Sequence, residues 1–110
     1  MDDGASDGDG LLVLWEFLVH AARRDEFLRA YGREGPWVAL FRRADGYQDS
    51  LLSEDRDRPG RFVTMDVWDT VAAYRIFRDR FAAEYAELDS ACEGYSERET
   101  SLGELRIPKI

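Results

Sequence analysis

Three side chains two residues apart, Thr64, Asp66 and Trp68, are followed by Tyr74, and together they could line one chemically active cavity. In an extended strand, residues at steps of two share a face, so the hydroxyl, carboxyl and indole of the first three point the same way. A carboxyl held among apolar groups resists ionisation, and Asp66 could then act as a base with a raised pKa. Trp68 could stack on a flat aromatic ligand or help form its radical. The Tyr74 hydroxyl could donate a hydrogen bond to a ligand oxygen. Trp68, Tyr74 and Asp66 are therefore the catalytic candidates. Thr64, Glu16, Phe77 and Tyr85 are the substrate-binding candidates. Each has a plainer role: Trp68 and Tyr74 as core aromatics, Asp66 as the partner of an arginine, Glu16 as half of an ion pair in an interface or a pocket.

Other chemistries find little support. His20 is the one histidine and Cys92 the one cysteine, so a zinc site of the usual ligands cannot be assembled and no internal disulfide can form. His20 falls at a strand end beside charged residues and is expected to face solvent. The Gly32 to Gly35 segment lacks the strand and spacing of a phosphate loop, and no serine sits in a nucleophile-elbow pattern. Residues 6–10, SDGDG, lack the remaining ligands of a calcium loop. Neither a metal nor a cofactor is expected.

The elements that must hold these residues follow from periodicity. Arg61 to Trp68 alternates, with Val63, Met65 and Val67 on the face opposite Asp66. The period then changes, and Val71, Tyr74, Phe77, Phe81, Tyr85, Leu88 and Cys92 recur at steps of three and four, the stripe of one long helix. Asp69 or Thr70 can cap it. Leu11 to Val19 is a strand apolar on both faces except at Glu16. A broken helical arm follows, with Phe27, Ala30 and Tyr31 on its first piece, and Trp37, Leu40, Phe41 and Ala44 on its second, which Pro36 opens. Tyr47 to Glu54 is a strand, and Asp55 to Gly60 turns the chain back. Ser96 to Leu105 reads as a charged edge strand.

This order predicts an α+β, ferredoxin-like βαββαβ domain with a four-stranded antiparallel sheet and helices on one face. The domain spans residues 11–105, between an acidic tail over 1–10, expected to be disordered, and a short C-terminal tail over 106–110. A first strand apolar on both faces needs a cover on each, so a face-to-face homodimer is expected.

Composition sets further bounds. The 110 residues carry a net charge of −8, half of it from Asp2, Asp3, Asp7 and Asp9. Without a basic stripe, nucleic acid and anionic membranes are not expected partners. No apolar run approaches the roughly 20 residues that span a bilayer. The lone cysteine suits a reducing cytoplasm.

The segments LVLWEF, FLRAYG, GPWVALFRRADGY and RFVTMDVWDTVAAYRIFRDRFAAEYAELD resemble the antibiotic biosynthesis monooxygenase-like domains of the dimeric α/β-barrel superfamily. The resemblance covers about Leu11 to Leu105. It implies a dimer that oxidises electron-rich phenols or quinols with O2 and without metal or flavin. It matches Trp68 to the family's strand-ending Trp and Tyr74 to an aromatic in the following helix. The family's Asn, four residues before that Trp, is Thr64 here, and the chain has no asparagine. A haem-degrading branch has a His near the position of Arg78. The resemblance therefore implies a small aromatic or quinol-type substrate rather than haem, with a non-catalytic dimeric binding module of the same fold as the alternative.

Overall fold

The computed structural model describes residues 8–109. Strand β1 (Gly10–Val19) leads through a 3-10 turn (Ala21–Arg23) into helices α1 (Arg24–Tyr31) and α2 (Pro36–Phe41). The hairpin β2 (Tyr47–Glu54) and β3 (Arg61–Trp68) follows, then α3 (Val71–Arg80), α4 (Ala82–Cys92), a second 3-10 turn (Glu93–Tyr95) and β4 (Ser96–Ile107). The sheet is antiparallel in the order β2-β3-β1-β4. This is the ferredoxin-like arrangement expected from the sequence.

Alternation along β1 and β3 decides which side the helices cover. Leu11, Val13, Phe17 and Val19 are buried on one face, with Phe62, Thr64 and Trp68 of β3 beside them. The aromatic core splits into two groups. Phe17, Phe27 and Phe62 pack under α1, whereas Trp37, Phe41, Trp68 and Phe77 pack under α2 and α3. Leu12, Leu14, Leu18, Val63, Met65 and Val67 lie on the opposite face, only partly buried, and Leu51, Leu105 and Ile107 are exposed. The chain's own helices leave this face open.

Three boundaries differ from expectation. The single helix expected from Val71 to Cys92 breaks at Phe81, where φ −108° and ψ 26° leave the helical range. The bend directs α3 along β3 and carries α4 to α2, where Tyr85 meets Trp37 edge-on at 5.0 Å. An unbroken apolar stripe gives no sign of this, because Phe81 keeps its ring against Phe77 at 5.6 Å. The last strand runs to Ile107 rather than Leu105, because β1 already begins at Gly10 and pairs with it. At the end of the segment expected to be disordered, Gly10 belongs to β1 and the Lys109 N–H donates to Asp9 Oδ1 at 3.2 Å. Residues 1–7 and 110 lie outside the described residues.

The start of α3 is set closely. Thr70, rather than Asp69, is the cap, its Oγ1 accepting from Ala73 N–H at 3.0 Å. Gly46 approaches the same turn with φ +89°, and a Cβ there would come within 2.5 Å of Ala73 Cβ. Its carbonyl accepts the Asp69 N–H at 2.7 Å. This contact fixes the entry of β2 against the exit of β3, and the site depends on it.

Candidate functional site

A cavity of about 210 Å³ lies between the covered sheet face and the helices. Val13, Trp15 and Phe17 of β1 and Thr64 and Asp66 of β3 form its floor. Trp37 and Phe41 of α2, Tyr74 and Arg78 of α3, and Tyr85 of α4 form its roof. Strand pairing builds the floor directly, since Trp15 is opposite Thr64 and Val13 opposite Asp66. For scale, an apolar cavity of roughly 150 Å³ accommodates benzene, so this one suits a ligand of about one to two rings.

Asp66 is the polar centre. Burial pushes its carboxyl up to about 6, while a hydrogen bond from Ser50 works in the other direction. Ser50 Oγ donates to Asp66 Oδ1 at 2.6 Å, and Tyr47 OH lies 2.7 Å from the same Ser50 oxygen. No arginine pairs with Asp66 among the described residues. The plainer role for this residue, a salt-bridge partner, is therefore not what the fold gives it. The Asp66 residue lines the cavity.

Across the cavity, Arg78 Nη1 donates to Tyr74 OH at 3.0 Å. That bond uses a lone pair of the phenol and leaves its proton free for a ligand. Burial raises the Tyr74 pKa, with Arg78 opposing, so the hydroxyl stays a donor at neutral pH. The Arg78 guanidinium also lies 4.0 Å from the centroid of the Tyr85 ring, and burial pushes the Tyr85 phenol up to about 12. The result is a donor and a cation facing a carboxyl across an aromatic chamber. Glu99 and Asp89 close the far end, and burial, then Asp89 and Glu93, raise the Glu99 pKa.

Four of the seven candidates meet here: Thr64, Asp66, Tyr74 and Tyr85. Three do not. Trp68 is 1% exposed and stands behind the cavity wall, enclosed by the rings of Phe41, Tyr47, Tyr74 and Phe77 at 4.9 to 5.8 Å. Its end-of-strand position tucks it beneath α3, and its Nε1 has no hydrogen-bond partner among the described residues. Phe77 is equally buried, as part of the same packing. Glu16 belongs to the opposite sheet face, where its Oε2 accepts from Arg61 Nε at 2.6 Å. Arg61 also holds Asp55 at 3.2 Å, so Glu16 is a paired surface carboxylate.

Sequence reasoning missed Trp15, Trp37, Ser50 and the inward role of Arg78. Alternation along β1 puts Trp15 on the face of Val13 and Phe17, but its position over Thr64 needs the strand register. Trp37 Nε1 lies beside the Tyr31 hydroxyl and the Cys92 thiol without hydrogen-bond geometry to either. His20 is exposed, as expected, and no cluster of metal-ligating side chains occurs among the described residues. No helix of the described residues is long and apolar enough to cross a membrane.

No family model and no curated protein matches the chain. Solved structures do. A variant of SnoaB, a cofactor-independent oxygenase from Streptomyces nogalater, superposes with a TM-score of 0.75 at 22% identity, over 96% of this chain and 97% of that one. A candidate antibiotic biosynthesis monooxygenase from Bordetella bronchiseptica gives 0.70 at 19% identity, over 93% and 98%. One from Nitrosomonas europaea gives 0.66 at 14% identity, over 96% and 94%. Across nearly its whole length this chain has the ferredoxin-like α+β fold of those oxygenase-type structures.

Proposed function

We propose that this chain is a cofactor-independent monooxygenase of a small aromatic, quinol-type substrate. The observation that carries the reading is Asp66, a carboxyl raised to about 6 and facing an aromatic cavity with the Tyr74–Arg78 pair opposite. Ionised above that pH, Asp66 takes a phenolic proton. The phenolate is more electron-rich than the phenol and can pass an electron to O2. Tyr74 and Arg78 offset the negative charge that then develops on oxygen. Atoms balance for a hydroquinone plus O2 giving a hydroxyquinone plus water, with every electron supplied by the substrate. The fold shared with SnoaB, described as a cofactor-independent oxygenase, supports the same reading.

Oxygen uptake with a panel of one- and two-ring hydroquinones tests it. Uptake should survive EDTA and rise with pH through about 6. Tyr74→Phe keeps the ring and removes the donor, so binding of a phenolic ligand should weaken by about 0.5–1.5 kcal/mol, with the melting temperature nearly unchanged. A second reading, a non-catalytic binding module, is favoured by the burial of Trp68 and by Thr64 standing where the resembled family has an amide. Saturable binding of the same phenols without oxygen uptake would select it.

The open sheet face is proposed to pair with that of a second copy. Leu12, Leu14, Val63, Met65 and Val67 form an apolar surface there, bordered by the Glu16–Arg61 pair with Leu18 beside it and by Leu51, Leu105 and Ile107, larger than scattered surface hydrophobics explain. Sedimentation equilibrium at micromolar concentration should give twice the chain mass. A single species near 12.7 kDa would overturn the dimer. A reducing, cytoplasmic setting suits the free and buried thiol of Cys92.

A further inference from the structure

We propose that Ser50 and Tyr47 form a proton relay that carries the proton taken up by Asp66 out of the cavity. The inference rests on the reading of Asp66 as the base. A base inside a chamber filled by its substrate needs an exit for the proton, and two successive hydrogen bonds, Ser50 to Asp66 and Tyr47 to Ser50, lead one way. Ser50 Oγ is 2.6 Å from Asp66 Oδ1, and Tyr47 OH is 2.7 Å from Ser50 Oγ. Asp66 makes no other side-chain hydrogen bond among the described residues. Ser50 has one proton, and Asp66 is the acceptor, so the proton between Ser50 and Tyr47 is the tyrosine's. The chain is therefore ordered towards the carboxylate. Ser50 lines the cavity; Tyr47 does not, and it is half-buried.

The backbone is built to make this alignment. Residues 47 and 50 are three apart, and in a regular strand they would point to opposite faces. A bulge at Gln48 changes the parity. Tyr47 is opposite Trp68, Asp49 opposite Val67 and Ser50 opposite Asp66, so Tyr47 and Ser50 both face the helices. The bulge is pinned, with the Gln48 side-chain amide donating to Asp69 Oδ1 and the Asp69 N–H donating to Gly46. Bulges commonly re-aim a side chain beside an active site.

Proton movement balances without electrons. Once Asp66 is protonated, rotation of its carboxyl group and of the two hydroxyls points all three protons outward. The Asp66 proton then passes to Ser50 Oγ, the Ser50 proton to Tyr47 OH and the Tyr47 proton to water, which leaves both hydroxyls donating towards the carboxylate, the order in which they started. The charged and titratable groups around the path are Asp49 and Arg42 near Tyr47, and Tyr74, Arg78, Tyr85, Asp89 and Glu99, which line the cavity with Asp66. Arg78 is engaged by Tyr74 and Tyr85, and Asp66 hydrogen-bonds to none of these groups.

Two readouts on the full chain test the relay. With the cavity filled by resorcinol, exchange of the Ser50 hydroxyl proton with water, followed by NMR magnetisation transfer, should slow at least fivefold in Tyr47→Phe. In hydroquinone turnover, Tyr47→Phe and Ser50→Ala should lower kcat at least fivefold with KM unchanged and enlarge the solvent isotope effect, while Ser50→Thr, which keeps the hydroxyl, restores the rate. Ser50→Ala should also shift the Asp66 carboxyl titration upward, whereas Tyr47→Phe should leave it in place. Unchanged exchange in Tyr47→Phe overturns the relay. Failure of the oxygenase reading looks different: no hydroquinone is oxidised, yet exchange still slows.

Discussion

Asp66→Asn is expected to raise the melting temperature at pH 7.5 while removing turnover. The carboxyl titrates near 3.8 when solvated and at about 6 in the fold, so folding favours its neutral form. The cost of ionising it is absent below about pH 4 and complete above about pH 6, and stability falls as pH rises through that window. A shift of this size corresponds to at most about 3 kcal/mol. Relaxation around the carboxylate lowers the effective figure to about 1–2 kcal/mol, or roughly 4–10 °C in a domain of this size. Asparagine is neutral throughout and can still accept the Ser50 hydrogen bond at Oδ1. Thermal melts of both proteins at pH 4 and 7.5 should therefore differ only at the higher pH. Loss of a general base should lower kcat by about 100-fold or more. Equal melting temperatures at both pH values would mean that the carboxyl is not desolvated, and the base assignment would fall with it.

The combination ties function to instability. A residue that weakens the fold at working pH is an expected mark of a site selected for chemistry. Glu16 and Asp55, also half-buried, lack this property because both meet Arg61. Burial without a cation distinguishes Asp66 from these two, and Glu99 at the same cavity shares the upward direction.

Much of the fold could be read from the chain because it depends on parity. Alternation in Arg61 to Trp68 placed Thr64 and Asp66 on one face, and the same rule placed Trp15 with Val13 and Phe17. It also puts Glu16 with Leu12, Leu14 and Leu18, away from the cavity, where its pairing with Arg61 on the open face is the ion-pair role and not the substrate-binding one. Parity cannot say how deep along a strand a side chain lies. Trp68 shares the face of Asp66, but at the strand end it meets Phe41, Tyr47 and Phe77 before it meets the cavity. Nor can parity survive a bulge. Ser50 and Tyr47 face the same way only because Gln48 is inserted between paired positions, and no residue type in YQDS announces that. The break at Phe81 is equally silent, since neither proline nor glycine marks it and the apolar stripe continues through it.

Trp68 offers the sharpest separation between packing and chemistry. Trp68→Ala is expected to destabilise the domain by about 3–5 kcal/mol, because a fully buried indole among four aromatic rings leaves a void that cannot collapse. That is a large share of the roughly 5–15 kcal/mol that holds an ordinary domain together, and urea unfolding will read it directly. Trp68→Phe keeps most of the packing, and Nε1 loses nothing because it has no partner. It should leave ligand affinity within about twofold, since each factor of ten needs about 1.4 kcal/mol and Trp68 does not line the cavity. Fluorescence separates the indoles. Trp15 and Trp37 do line the cavity, so quenching by a bound phenol should persist in Trp68→Phe and fall sharply in Trp15→Phe. The opposite result, with quenching lost only when Trp68 is replaced, would place the ligand against Trp68 and require the wall formed by Phe41 and Tyr74 to open. The radical or stacking role suggested for this indole would then return, with Trp68 meeting the substrate through a movement of α2 and α3.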